Sequence, residues 1–512
     1  MDSLNTLQWL AALTGLAFIF ALGAIVGSFL NVIVYRVPRG MNIITPPSAC
    51  PACGTRLRWR QNFPIIGWIL LRGRCRFCRS PISPEYPLVE FITALLFAAL
   101  YVTWFMNPSL IELVGADPAV LRPEWARAGA WRMGPYFLLV LALIAGLIAM
   151  TLIDLKTFTI PVRIAWFIAV ASLIIHPLNA LWIALSLGQL PRATHRWTIP
   201  VPDWDFTIAA LASGAGLLIS IVLLRFRILP MSMEDYEQWE QEHLAAHEAA
   251  LKAKPAPSPD PQSSDVPAFR RALLRALFLT GPAVALMFLG YSFGLHIDRP
   301  FHGMFFGMAL GLLIGLPLRR LAADDPSQDP DPVWVQYPHI RREMVKEALF
   351  LALPILGAGI GWWIGSSIMP PWTIDAATGE IARTGAPPPL WLAAFAGSLL
   401  GALVGGGLIW LVRILGSLAF NKEAMGLGDV HLMFAVGAVL GWIDPTLAFF
   451  IAPFFGILWA LASVLISGLF RREGAALPYG PHHAAATLLV LYAHPLIELG
   501  LSALAGRTIN LP

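Results

Sequence analysis

The sequence predicts an all-α polytopic membrane protein of about 12 transmembrane helices, with a small cysteine-bearing loop domain on its cytoplasmic side. Three observations predict this. The 512-residue chain is 57% hydrophobic and only 13% charged, where a soluble domain carries about 25% charge. Apolar runs of roughly 20 residues recur along its whole length, each long enough to cross about 30 Å of hydrocarbon. All four cysteines lie in one arginine-rich segment between the first two runs.

The expected spans are 7–35, 87–106, 134–153, 160–186, 206–225, 272–294, 303–318, 347–369, 389–416, 431–447, 449–470 and 482–505. A soluble helical bundle is excluded, because too many segments are apolar on every face. The first run, from Leu7 to about Tyr35, has no basic residue before it and is too long for a signal peptide. It reads as a retained span. Between the last two short spans, Asp444-Pro445 marks an expected tight turn.

Charge placement sets the orientation. Net charge is a modest +4, but Arg36, Arg39, Arg56, Arg58, Arg60, Arg72, Arg74, Arg76 and Arg79 crowd into the first loop. The positive-inside rule makes that loop cytoplasmic and places the N-terminus outside. These arginines serve as a topological anchor, so they do not call for nucleic acid as a partner; the expected surroundings are lipid. Counting spans from there puts Asp154 and Asp429 on the same cytoplasmic face. Two inner loops are soluble in character, 229–268 and 321–345. The first opens with the charged "MEDYEQWEQEHLAAHEAALKAK" and continues as the linker-like "PAPSPDPQSSDVP".

The domain organisation follows: 1–36 the first span, 37–86 the cysteine loop, 87–190 the helices that carry Asp154, 191–388 extra helices with both soluble loops, and 389–512 the helices that carry Asp429.

Cys50, Cys53, Cys75 and Cys78 form C-x₂-C…C-x₂-C with 21 residues between the pairs. Two close pairs offer four thiolates to a tetrahedral structural zinc. A reducing cytoplasmic loop argues against disulfides. The flanking arginines favour the thiolate form.

Ionisable groups beside a membrane span are functional candidates. Asp154 ends a span, in "TLIDLKTFTIP". Asp429 follows Gly426 and Gly428, in "KEAMGLGDVHLMFAVGAVLGW". Glycine permits close approach of backbones, whether of a neighbouring helix or of an extended substrate. Two carboxylates sharing one pocket do not both ionise easily, which suits a shared proton. One carboxylate then activates water while the other donates to a carbonyl.

Taken together, these blocks resemble the type 4 prepilin peptidases, polytopic GxGD aspartic proteases of the bacterial inner membrane. The resemblance runs from "GSFLNVIVYRVPRG" (27–40) through the cysteine loop to "PISPEYPLVE" (81–90). It continues in "IDLKTFTIP", in the GLGD block and in "LPYGPHHAAA" (477–486), which is similar to the family's Pro-Phe-Gly-Pro segment. The resemblance implies that Asp154 and Asp429 are the catalytic pair, that the four cysteines hold zinc, and that Gly426 and Gly428 admit the substrate. It implies cleavage of the leader of type IV prepilins or pseudopilins at the cytoplasmic face, followed in many members by N-methylation of the new terminus with S-adenosylmethionine. Acidic neighbours such as Glu90 and Glu423 are candidates for the basic leader. The chain departs from the family in length, chiefly between about 190 and 388, and in His431, where relatives often have lysine. Competing readings are a peptidase without methyl transfer, a non-catalytic zinc-bearing scaffold, and a transporter. The last expects polar residues near mid-span, whereas the conspicuous ones here lie at span ends.

Overall fold

The computed structural model describes residues 3–106, 130–187, 198–236, 337–368, 386–470 and 478–506 continuously, with isolated residues between. The chain divides into two compact units. One comprises Met1–Ser232, Pro338–Ser502 and Thr508–Pro512; the other comprises Met233–Tyr337 and Ala503–Arg507. In the second, Tyr236, Trp239 and Tyr337 meet ring to ring. The expected spans 272–294 and 303–318 lie outside the continuously described residues, as does most of both soluble loops.

The helices are α1 Ser3–Arg36, the short α2 Ile66–Leu70, α3 Glu85–Phe105, α4 Ala130–Thr157, α5 Val162–Leu187, α6 Trp204–Arg225, α7 Ile340–Ile368, α8 Leu390–Phe420, α9 Leu427–Leu440, α10 Ile443–Phe470 and α11 Gly480–Ala505. Among the described residues nine helices are long and apolar enough to cross a membrane, and α9 is a shorter apolar one. Among the described residues, two two-residue strands, Thr373–Ile374 (β1) and Ile381–Ala382 (β2), pair antiparallel.

Glycine sets how closely the helices approach, because lipid offers no hydrophobic drive between them. Gly357, Gly361 and Gly365 recur every four residues on α7, and a Cβ on any of them would strike the backbone of α6 at Ala212, Ile208 or Asp205. Gly401 on α8 and Gly437 on α9 face each other in the same way, each against the other's carbonyl oxygen.

Helix α9 has 14 residues, about 21 Å at 1.5 Å per residue, and so falls short of a full crossing. Its final carbonyls lack partners within the helix. Side chains of neighbouring helices supply them. Ser172 and Ser398 both donate to Ala438 O, at 2.6 and 2.7 Å. His176 Nε2 lies 3.1 Å from Val439 O. The chain then turns at Gly441, φ +83°, and not at Asp444-Pro445. Those two residues form the first turn of α10, where proline costs no hydrogen bond.

Candidate active site and metal centre

Asp154 lies in the last turn of α4. The helix ends three residues later, where Phe158, at φ +53°, donates its N–H back to Asp154 O at 2.8 Å. The link Thr159-Ile160-Pro161 then reverses the chain into α5. Asp429 is the third residue of α9, its N–H directed to Gly426 O at 3.2 Å, in the first turn where a helix favours negative charge. Both carboxylates are buried.

Three contacts bring them together. The Asp154 carboxylate lies against the backbone of Gly480, the first residue of α11. A Cβ on Gly480 would stand 2.5 Å from Asp154 Oδ2. From the same turn, His483 Nδ1 comes within 3.8 Å of Asp429 Oδ1. Ile160 packs on both sides: it would meet a Cβ on Gly428 at 2.8 Å and one on Gly480 at 3.0 Å. Asp154 and Arg413 both lie near enough to Asp429 for their charges to act on it. The ends of α4, α9 and α11 thus converge on one buried cluster holding two carboxylates.

Sequence reasoning singled out Asp154 and Asp429, and the fold unites them. The glycines divide. The side-chain face of Gly426 meets only Asp429 Oδ2 at 3.4 Å and Gly428 N at 3.9 Å. The corresponding face of Gly428 is filled by the chain's own Ile160 and is not left open to a peptide. The two acidic residues considered for leader binding are engaged internally: Glu90 Oε2 accepts the Ile65 N–H at 2.6 Å, and Glu423 pairs with Arg413. Sequence reasoning missed Gly480 and His483. The signal was present, as two adjacent histidines just after Gly480-Pro481 at the head of an apolar run.

The cysteines form a second centre. Their four Sγ atoms all lie within 4.8 Å of one another, and none is in a disulfide. The two pairs are built alike. Cys50 N–H binds Thr55 O at 3.0 Å and Gly54 N–H binds Cys50 O at 2.9 Å; Cys75 N–H binds Ser80 O at 2.9 Å and Arg79 N–H binds Cys75 O at 3.0 Å. Gly54 (φ +68°) and Arg79 (φ +61°) occupy equivalent left-handed positions. Each knuckle is closed by one antiparallel bridge, Ala49 with Arg56 and Arg74 with Pro81. The backbone N–H groups of Cys53 and Ala52 hold the Cys50 thiol down to about 6, favouring the thiolate that a metal needs. The segment is anchored to the helices by Arg36, which donates to Asn42 O (3.0 Å) and Pro46 O (2.6 Å), and by Glu90 on Ile65. Lys156, two residues beyond Asp154, pairs with Glu85 at the start of α3. The cysteine segment and the Asp154 end of α4 therefore share one face.

Known proteins carry the same parts. The bacterial peptidase A24 N-terminal domain matches residues 21–104 and the type IV leader peptidase family matches residues 372–461. A prepilin leader peptidase/N-methyltransferase of Myxococcus xanthus (strain DK1622) is 55% identical over 82 residues, 16% of this chain and 24% of the relative. One from Klebsiella pneumoniae is 44% identical over 87 residues, 16% of this chain and 38% of its own length. A third, from Aeromonas hydrophila, is 31% identical over 243 residues, which are 42% of this chain and 72% of the relative.

This chain belongs to the type IV leader peptidase family.

The chain spans less than half the length of the first two relatives. The cysteines fall in the first matched segment and Asp429 in the second, while Asp154 and α7 lie between the two. No solved structure matches.

Proposed function

We propose that the protein is a membrane aspartic endopeptidase of the bacterial inner membrane that removes the leader of type IV prepilins or pseudopilins at the cytoplasmic face. The observation that carries this reading is the buried cluster in which Asp154 and Asp429 lie, at the ends of α4 and α9. One carboxylate takes a proton from water as the water oxygen attacks the scissile carbonyl carbon. The other, protonated, donates to the carbonyl oxygen. Collapse of the tetrahedral intermediate breaks the C–N bond, and a proton passes to the departing amine. Sites at span ends suit a substrate whose apolar helix stays in the bilayer with its cleavage point at the boundary. The peptide would enter past Gly426.

Within this reading the segment 37–86 is a structural metal domain with Cys50, Cys53, Cys75 and Cys78 on zinc. Zinc would fold a segment whose own core is small. The catalytic helices come from 87–190 and 389–512, and 191–388 is an addition to the family core. The relatives' names support N-methylation of the new N-terminus with S-adenosylmethionine as a second activity. The deciding experiment coexpresses the protein with a prepilin and reads the product by mass spectrometry. Loss of the leader and a methylated first residue are expected. An uncut prepilin would reject the peptidase, and a cut but unmethylated product would reject the second activity alone.

A further inference from the structure

Helix α7 lies outside both family segments, yet through Arg413 it is tied to the loop that leads into α9 and Asp429. Near its start, Glu347 is buried and receives a fork from Arg413 of α8. Arg413 Nε lies 3.2 and 3.0 Å from Glu347 Oε1 and Oε2, and Nη2 lies 3.0 Å from Oε1. Glu347 is further held by Trp410 Nε1 at 2.6 Å and Ser232 Oγ at 3.2 Å. The remaining arm of the guanidinium, Nη1, points the other way, to Glu423 Oε1 and Met425 O. Arg413 is 2% exposed and Glu347 4%.

One planar group thus joins α7 to the α8–α9 loop four residues before Asp429. That loop is short and otherwise held near its start. Asn421, left-handed at φ +54°, donates its N–H to Ser417 O at 2.9 Å, and Ala424 N–H reaches Ser417 Oγ at 3.0 Å. Met425 also packs on the hydrophobic core, and Arg413 ties residues 423–425 to Glu347 of α7. A buried ion pair is poor value for stability, because desolvating both charges offsets most of their attraction. Its fixed geometry is what it contributes, and the guanidinium fork sets that geometry more rigidly than an ammonium would.

We propose that Glu347 and Arg413 are positioning residues, by which the added helix α7 sets the place of the Asp429 loop. The proposal rests on the reading of Asp429 as catalytic. A shift of α7 moves Glu347, the guanidinium turns with it, and residues 423–425 follow. This gives the added segment a role in the reaction without any contact with substrate.

The test uses the full chain in lipid nanodiscs. It compares Glu347→Gln, Arg413→Lys and the apolar double variant Glu347→Leu/Arg413→Met, which buries no unpaired charge. Hydrogen exchange over 421–429 is read first, since it does not depend on activity. Glu347→Gln and the double variant are expected to speed exchange there about tenfold while peptides of α5 stay unchanged. On a purified prepilin, Glu347→Gln is expected to lower kcat about a hundredfold with KM nearly constant. Arg413→Lys should recover only part of that rate. Added to an Arg413→Met background, Glu347→Gln should cost little more. Unchanged exchange over 421–429 in the double variant would overturn the proposal, as would a kcat loss from Glu347→Gln that is the same in both backgrounds. If the parent protein cuts no prepilin, the peptidase reading fails, and the exchange measurement still decides whether α7 holds the loop.

Discussion

Gly480 stands so close to Asp154 that no side chain fits between its backbone and the carboxylate. The smallest addition is therefore informative. Gly480→Ala is expected to cut leader cleavage by about a hundredfold, the scale of a 1 Å displacement at a reacting centre. Membrane insertion and metal content should be unaltered. Cleavage at the parent rate, measured on a coexpressed prepilin, would remove α11 from the site.

The two carboxylates are expected to act as one unit. Asp154→Asn and Asp429→Asn should each abolish cleavage while the protein still accumulates, and the double variant should be no worse than either alone, as residues sharing one step are not additive. Single-turnover rates on purified protein check this. Substantial activity in either single variant removes that residue from the pair.

The cysteine centre should bind about one zinc per chain through four thiolates. Metal analysis of Cys50→Ser and Cys78→Ser is expected to show its loss, and limited proteolysis should then cut between residues 49 and 81. Full zinc content after both replacements would refute the site.

The end of α9 allows a graded test. Ser172 and Ser398 share one acceptor, so Ser172→Ala or Ser398→Ala alone should cost under about 1 kcal/mol. The double variant leaves Ala438 O unpaired and should cost about 1–3 kcal/mol more than the sum of the singles. Unfolding in mild detergent measures it. Simple additivity would mean that the two hydroxyls do not substitute for each other.

Much of this was legible in the chain because it is written locally. Hydropathy reported the spans, since each helix is apolar over its own length. The C-x₂-C spacing reported the knuckles, since each closes over six residues. Asp154 and Asp429 stood out as carboxylates in apolar surroundings. The rest depends on contacts between distant segments. Nothing near Gly428 announces Ile160, and nothing near Arg413 announces Glu347, so the first read as a gap for substrate and the second not at all. Asp444-Pro445 looked like the break between the short spans, but proline also suits a first helical turn, and Gly441 supplied the positive φ.

The dispersal of the parts of the Asp154–Asp429 cluster along the chain bears on how the protein is made. Asp154 leaves the ribosome early, Asp429 follows after a long interval, and the Gly480–His483 turn that lies against both comes later still. During synthesis the emerging polypeptide holds one carboxylate in the bilayer with neither its partner nor the turn that seats it. The cluster is therefore incomplete until α11, the last of the described helices, has been made. Translation arrested between α4 and α11 leaves Asp154 without Asp429 or the Gly480–His483 turn, so under the proposed function such a fragment cuts nothing.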